Sequence, residues 1–488
     1  AVQGKGVSEI FIQDNKIPKN NIPNKILKEV ARKCRKIESY FNKPQDIEWC
    51  YANDKLWILQ SRAITKNVHE KINVWDNSNI AESYSGIVLP LTCSFAQFIY
   101  KQVYRDLART SNINPRKIDK YSDVFENLLG FFYGRFYYNI LNWYKMLTLF
   151  PGYKRNKRNL DMMISAKNRA ELNKEHHQNV NLIDKLRYYP YILYRIFRFK
   201  KDIRKFKKDV KDYLNHVREN NFEKAELNEL WEWFEDFQEN LLRKWSITVD
   251  NDFLAMTWFG FFKKYAKKNG LSESQILSQI TSIKSLVSAQ QVKAIKNLSE
   301  EFHKNKKLLI HAKNSNWNLC YKEMMNNSNL NNMITGYLSL YGGRFANELK
   351  LEAKDLDSDP EFLPQLLYQY KMNDKKIILD EDKINLSFFK KFMLNILSKK
   401  SKHYLKHREE LRLLRSQAFS YTRKLFIAIG NKLENKKIID NFNDIFYLKL
   451  DEIETAIKQD NLELKKIVIK RKNEYAGYEK VELGSVLV

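Results

Sequence analysis

The chain has 488 residues, 43% of them hydrophobic and 13% aromatic, which suits two to four domains and excludes general disorder. Lys and Arg number 85 against 58 Asp and Glu, a formal charge of +27. A solvated basic surface is the plainer account of that excess. A nucleic-acid partner is not favoured, because no zinc-finger spacing, aromatic–glycine RNA signature or heptad-plus-basic region accompanies it.

Glycine (14) and proline (9) are scarce, so elements are long and mostly helical. Cys34, Cys50, Cys93 and Cys320 lie far apart with no metal spacing, as expected of reduced thiols in a cytoplasmic protein. No apolar run reaches the roughly 18 residues of a membrane span, and no signal peptide is visible, so no membrane partner is expected.

Residues 1–73 read as α/β. Gly6–Ile12 alternates like a strand. A helix is predicted over 25–41, from Ile26, Leu27, Val30, Ala31, Cys34, Ile37 and Phe41 on one face, with Pro44 ending it. A hairpin follows over Asp46–Arg62, DIEWCYANDKLWILQSR, around a three-residue turn Ala52-Asn53-Asp54. That turn pairs 51 with 55 and 48 with 58, and puts Glu48, Ile58, Gln60 and Arg62 on one face. A two-residue turn would flip Glu48. A carboxylate, an amide and a guanidinium side by side suit a divalent cation and phosphate. An edge hairpin with one wet face is the alternative.

Trp75–Thr92 reads as a connector, with Pro90 and Thr92 placed to start a helix. Helices are then predicted over Ser94–Ala108, Gly134–Leu149, Leu227–Trp245, Phe253–Lys268, Glu273–His303, Leu386–Ile396 and Glu409–Leu433. The fold class is therefore mainly α: a small α/β part (1–73), a large all-helical domain (74–475) and a tail (476–488). Within Lys185–Lys208, ten Lys/Arg face one Asp202, with Tyr188, Tyr191, Tyr194, Phe197, Phe199 and Phe206 interleaved. A helix with its aromatic face inward and its basic face in water is predicted there, over a membrane- or nucleic-acid-binding helix.

Three clusters in the helical domain could carry chemistry. Arg135, Asn139 and Asn142 recur at helical spacing, as a pocket wall or a hydrogen-bonded seam. Tyr341-Gly342-Gly343-Arg344 precedes Glu348, Lys350 and Glu352; Arg344 and Glu348 would pair at i, i+4 on a helix. Arg408, Arg412 and Arg415 share a helical face, for anion capture or for pairing with Glu409 and Glu410. Asp250-Asn251-Asp252 reads as a helix N-cap, over a polar group in a pocket, and His176-His177 as an exposed pair.

Arg35–Thr65, RKIESYFNKPQDIEWCYANDKLWILQSRAIT, resembles the end of the ATP-grasp domain in the family of phosphoenolpyruvate synthase, pyruvate phosphate dikinase and rifampicin phosphotransferase. Ser78–Tyr104, Gly134–Asn156, Tyr341–Leu363, His407–Gly430 and Asp444–Ile453 continue the resemblance in order. Gly343 departs from it, standing where a YGDR block has aspartate.

The resemblance implies that Glu48 and Gln60 serve a Mg2+–ATP site and that Arg62 contacts nucleotide phosphate. It makes the 1–73 part a remnant of an ATP-grasp domain and the helical domain an acceptor-binding one. Arg135, Asn139, Asn142, Arg344, Glu348, Arg408 and Arg412 then become candidate acceptor contacts. The implied reaction turns ATP, water and an acceptor into AMP, phosphate and phosphorylated acceptor through a phosphohistidine. The acceptor would be pyruvate or a hydroxylated compound. The other half of the nucleotide domain and the phosphohistidine domain are expected outside this sequence, in cis or in trans. By itself the chain is expected not to turn over. The alternative function is a non-catalytic basic scaffold for nucleic acid or acidic lipid.

Overall fold

The computed structural model describes residues 23–43, 45–63, 73–161, 164–165, 180–281, 287–356, 358–370, 387–459 and 463–488. The chain forms two compact units, residues 1–72 and 73–488. The strand expected at Gly6–Ile12, the expected stop at Pro44 and the His176-His177 pair lie outside the described residues.

In the first unit, α1 (Asn24–Phe41) ends on Asn42 in the left-handed conformation. Asparagine reaches that region at little cost, so it stops a helix well. Strands β1 (Gln45–Ala52) and β2 (Lys55–Ala63) form the hairpin. Leu27, Val30 and Leu56 are buried. Lys33 Nζ donates to the Leu56 carbonyl at 3.1 Å, tying helix to hairpin.

The second unit is a helical body with one small sheet. Chain order gives β3 (Trp75–Asp76), α2 (Pro90–Thr110), α3 (Pro115–Asp119), α4 (Ser122–Glu126), β4 (Leu129–Phe132), β5 (Arg135–Asn139), α5 (Ile140–Leu147), α6 (Tyr153–Asp161) and α7 (Leu182–Val217). Then come α8 (Leu227–Asn240), α9 (Ile247–Lys268), α10 (Glu273–Thr281), α11 (Val287–Lys304), α12 (Lys306–Lys313), α13 (Trp317–Asn326), α14 (Ser328–Tyr341) and α15 (Leu363–Tyr370). Helix α16 (Phe388–Asn435) follows, then α17 (Leu450–Gln459), α18 (Leu464–Tyr478) and β6 (Val486–Leu487). The antiparallel sheet runs β4–β5–β3–β6, so residues read as a tail from sequence supply an edge strand.

Several expectations change. Gly134–Leu149 is not one helix. Arg135–Asn139 is a strand, entered through a tight turn in which Tyr133 and Gly134 both have positive φ (43° and 72°). Asn139 caps α5, its side chain accepting from the Asn142 N–H at 3.2 Å. Arg135, Asn139 and Asn142 therefore form no helical stripe. Leu386–Ile396 and Glu409–Leu433 join into α16, 48 residues long, because nothing between them breaks a helix. Asp250 and its neighbours lie inside α9, which starts at Ile247, so they are not its N-cap. On α7, Phe199 and Phe206 are buried as expected, but Tyr194 and Phe197 are 50% and 85% exposed.

The main core gathers α2, α7, α8, α9 and α16, with rings such as Phe95 against Phe419 (5.4 Å) and Phe234 against Phe426 (5.0 Å). A second cluster joins α11 to α15. Within α16, Arg423 is almost fully buried, and its guanidinium pairs with the equally buried Asp355. The same group donates to the carbonyls of Leu351 (3.1 Å) and Lys350 (2.8 Å). Removing one member of a buried pair strands the other charge. Arg423→Met is therefore expected to lower the unfolding free energy of this unit by about 3–5 kcal/mol. Urea titration followed by circular dichroism checks this, and adding Asp355→Leu to Arg423→Met should recover much of the loss.

Candidate functional site

The hairpin carries the first set of residues. Its turn holds two residues, not three: Asn53 and Asp54, with φ of 51° and 56°, so Ala52 pairs with Lys55. Both residue types accept positive φ, as such a turn requires. Trp49 then pairs with Ile58, and a bulge brings Glu48 opposite Gln60, with Leu59 the extra residue. The bulge offsets the shorter turn. Glu48, Gln60 and Arg62 still share a face, with Asp46 opposite Arg62, while Ile58 moves to the other side. Glu48 and Arg62 are exposed, and Arg62 Nη2 donates to Gln60 Oε1 at 2.8 Å.

A polar cleft of about 540 Å³ is the second place, in the helical unit. Arg344 and Glu348 enter it from the loop after α14, Arg412 and Arg415 from α16, and Glu82 from the segment before α2. The 344–348 segment is not helical, so the expected i, i+4 bridge is absent. Both residues instead pair with α16. Arg344 Nη2 lies 3.2 Å from Glu409, which also reaches Arg412 at 3.7 Å. Glu348 accepts from Ser416 Oγ at 2.7 Å and meets Arg415 only loosely, at 3.9 Å.

Gly343 makes this approach possible. A Cβ there would stand 2.7 Å from Ser420 Cβ and 2.9 Å from the Ser416 carbonyl. The glycine in place of aspartate thus has a packing cause. The rest of the block is a fastener. Glu352 accepts from the Leu89 N–H (2.9 Å) and Thr92 Oγ1 (2.5 Å), satisfying the start of α2.

Two donors in the cleft's arginines are unmet: Arg344 Nη1 and Arg415 Nε are buried without a hydrogen-bond partner. Buried guanidinium N–H groups without acceptors are costly, and an anionic group in the cleft would meet them. Of the residues expected from sequence, Arg344, Glu348 and Arg412 come together here. Arg408 does not line the cleft and pairs with Asp252 at 3.3 Å. Arg135 donates to the Tyr133 carbonyl at 3.0 Å, and Asn142 Nδ2 to the Asn127 carbonyl at 2.9 Å, both outside the cleft. Glu82, Asn347 and Gln291 also line it. Sequence periodicity had no means of finding them, since they come from loops and a distant helix.

The third place is an apolar cavity of about 290 Å³ between α2, α5, α7 and α9. Trp143, Met146, Ile192 and Leu254 are among its walls. Its polar edge is an ion pair, Arg195 Nη2 to Asp250 Oδ2 at 2.5 Å, with Arg195 also donating to the Thr110 carbonyl at 2.6 Å. Burial pushes the Asp250 carboxyl up to about 6, against the opposing pull of Arg195. Arg155 sits over the Phe253 ring at 5.9 Å.

Residues 2–79 match the pyruvate phosphate dikinase AMP/ATP-binding domain. Over these residues the chain is similar to the phosphoenolpyruvate-utilising phosphotransferases. Over 37 residues it is 57% identical to rifampicin phosphotransferase of Bacillus subtilis, covering 8% of this chain and 4% of that one. Over 65 residues it is 40% identical to a Streptomyces rifampicin phosphotransferase, covering 13% and 8%. Over 143 residues it is 25% identical to the prodigiosin synthesizing transferase PigC of Serratia marcescens, covering 26% and 15%. These matches thus span at most 15% of the relatives' own lengths.

The raised Asp250 sets a pH test. Its carboxyl binds a proton in the folded state at a pH where the unfolded chain has released it, so its contribution falls as pH rises from about 4 to about 6. The stability difference between the native chain and Asp250→Asn should fall across that window by about 2–3 kcal/mol, then level off. Urea titrations at stepped pH values measure it.

Proposed function

We propose that the chain is the nucleotide-hairpin and acceptor-binding part of an ATP-dependent dikinase-type phosphotransferase. The whole enzyme would convert ATP, water and an acceptor to AMP, phosphate and a phosphorylated acceptor, through a phosphohistidine on a separate domain. The observation that carries this is the polar cleft, with two buried guanidinium donors awaiting an anion, in a chain matching an AMP/ATP-binding domain.

Glu48 and Gln60 offer hard oxygen donors across one strand pair, and Arg62 a guanidinium beside them. That set fits Mg2+ with nucleotide phosphates, with Glu48 and Gln60 holding the metal and Arg62 a phosphate oxygen. When bound there, Mg2+ would neutralise phosphate charge.

In the cleft, the guanidinium groups of Arg344, Arg412 and Arg415 would hold the oxygens of the phosphoryl group being transferred. Glu409 bridges Arg344 and Arg412 and so fixes their orientation. Ser416 does the same for Glu348. The apolar cavity favours a hydroxylated acceptor with an apolar body over pyruvate, which has little surface to bury there. The cavity's α9 wall is tied to α16 by the Asp252–Arg408 pair.

Acceptor-dependent AMP formation by the complete enzyme is the test. Arg344→Met and Arg412→Met are each expected to lower kcat by about 10²–10³, the scale of losing a donor to developing charge. Glu48→Ala and Arg62→Ala should remove ATP use. Unchanged turnover in the Arg344→Met and Arg412→Met variants would sink the cleft assignment, and in the Glu48→Ala and Arg62→Ala pair the hairpin assignment.

A further inference from the structure

The first four turns of α7 leave large apolar side chains in solvent. Leu182, Leu186, Leu193 and Phe197 are 71%, 66%, 57% and 85% exposed. Their spacing of four, seven and four residues lines them on one face, with Tyr189 and Tyr194 beside them. The face is held outward from behind. Lys117 Nζ pairs with Asp184 at 2.6 Å, Asn112 Nδ2 donates to the Arg187 carbonyl at 3.3 Å, and Arg195 is bound to Asp250. On the same outer side the helix then turns basic, with Lys200, Lys201, Arg204, Lys205 and Lys208 all exposed.

Helix α16 repeats the pattern. Phe388, Phe389 and Phe392 are 88%, 70% and 54% exposed. Lys390, Lys391, Lys399, Lys400, Lys402 and Lys406 follow, with no Asp or Glu between Phe388 and Arg408. The two helices run in the same sense where they meet. Phe199 faces Tyr404 with ring centres 5.8 Å apart, and Lys207 reaches Glu410 at 2.5 Å. Both apolar starts therefore lie on the N-terminal side of that crossing, 182–197 on α7 and 388–392 on α16.

We infer that this end of the helical unit is a docking surface for an anionic lipid bilayer. Exposed Leu, Tyr and Phe enter the headgroup–acyl boundary while the adjoining lysines and arginines meet lipid phosphates. Charge complementarity selects this occupant. Ten Lys/Arg against one Asp202 over Lys185–Lys208 suit an anionic sheet. The mode is peripheral: among the described residues, no helix is long and apolar enough to cross a membrane. The inference does not depend on the phosphotransferase reading, since none of these side chains lines the polar cleft or belongs to the hairpin set.

Vesicle flotation with the 488-residue chain tests it, comparing phosphatidylcholine alone with phosphatidylcholine containing phosphatidylglycerol. Expected is binding to the mixed vesicles at least about ten-fold stronger than to the neutral ones, weakening as salt rises from about 0.1 M to about 0.5 M. The triple variant Leu186→Asp, Leu193→Asp, Phe197→Asp should lose at least about ten-fold. All three sites are exposed, so folding is retained, and far-ultraviolet circular dichroism confirms it. A second variant, Lys200→Gln, Lys201→Gln, Arg204→Gln, Lys205→Gln, should lose the preference for phosphatidylglycerol. Three results would overturn the inference. One is no partition into mixed vesicles. Another is equal partition by the triple variant, which leaves only nonspecific charge. The third is a dimer of the native chain that the triple variant dissolves, which makes a second copy the occupant.

Discussion

Arg423 lies deep inside the longest described helix, and the loop after α14 is arranged around satisfying it. Its guanidinium binds Asp355 and two carbonyls of the 350–351 segment, so the loop after α14 cannot leave α16 without exposing a bare charge to apolar surroundings. That loop carries Arg344 and Glu348, and it delivers Glu352 to the start of α2. One buried pair thus sets the distance between two helices and positions the polar cleft's wall. Gly343 adds the steric half of the constraint, by letting backbone touch Ser416 and Ser420.

The basic charge of the chain divides into two kinds. Arg344, Arg412 and Arg415 are drawn into the cleft, where carboxylates hold some guanidinium atoms and leave others unmet. Arginine suits that place because a planar fork can serve a carboxylate and an incoming oxyanion together. The excess on α7 and on the first half of α16 is largely exposed lysine and arginine beside bare apolar groups. A single net charge hides this division.

Much of the architecture was legible in the sequence. Scarce glycine and proline correctly announced long helices, and DIEW…LQSR announced a hairpin with its polar residues together. Where the expectation failed, a local feature had outweighed periodicity. RFYYN became a strand because Tyr133 and Gly134 make a tight turn, and a bulky residue at positive φ is not a turn signal. Asp250 looked like a cap because polar residues before an apolar run usually are, yet α9 begins earlier and buries it against Arg195. Arg344 and Glu348 looked like neighbours on a helix, but the Gly342-Gly343 pair ends α14 and hands both side chains to α16. Pairings between distant segments leave no trace in spacing.

The bulge at Leu59 bears on how the hairpin can change in length. Leu59 is mostly exposed and opposes no residue of its own. Losing it would leave each remaining pair intact, since Trp49 would still meet Ile58 and Glu48 would still meet Gln60. Losing Ser61, beyond the bulge, would instead carry Arg62 round to the helix side. The hairpin therefore has one position at which its lineage can shorten freely, and alignments with relatives should place their gaps there and not in the Asn53-Asp54 turn.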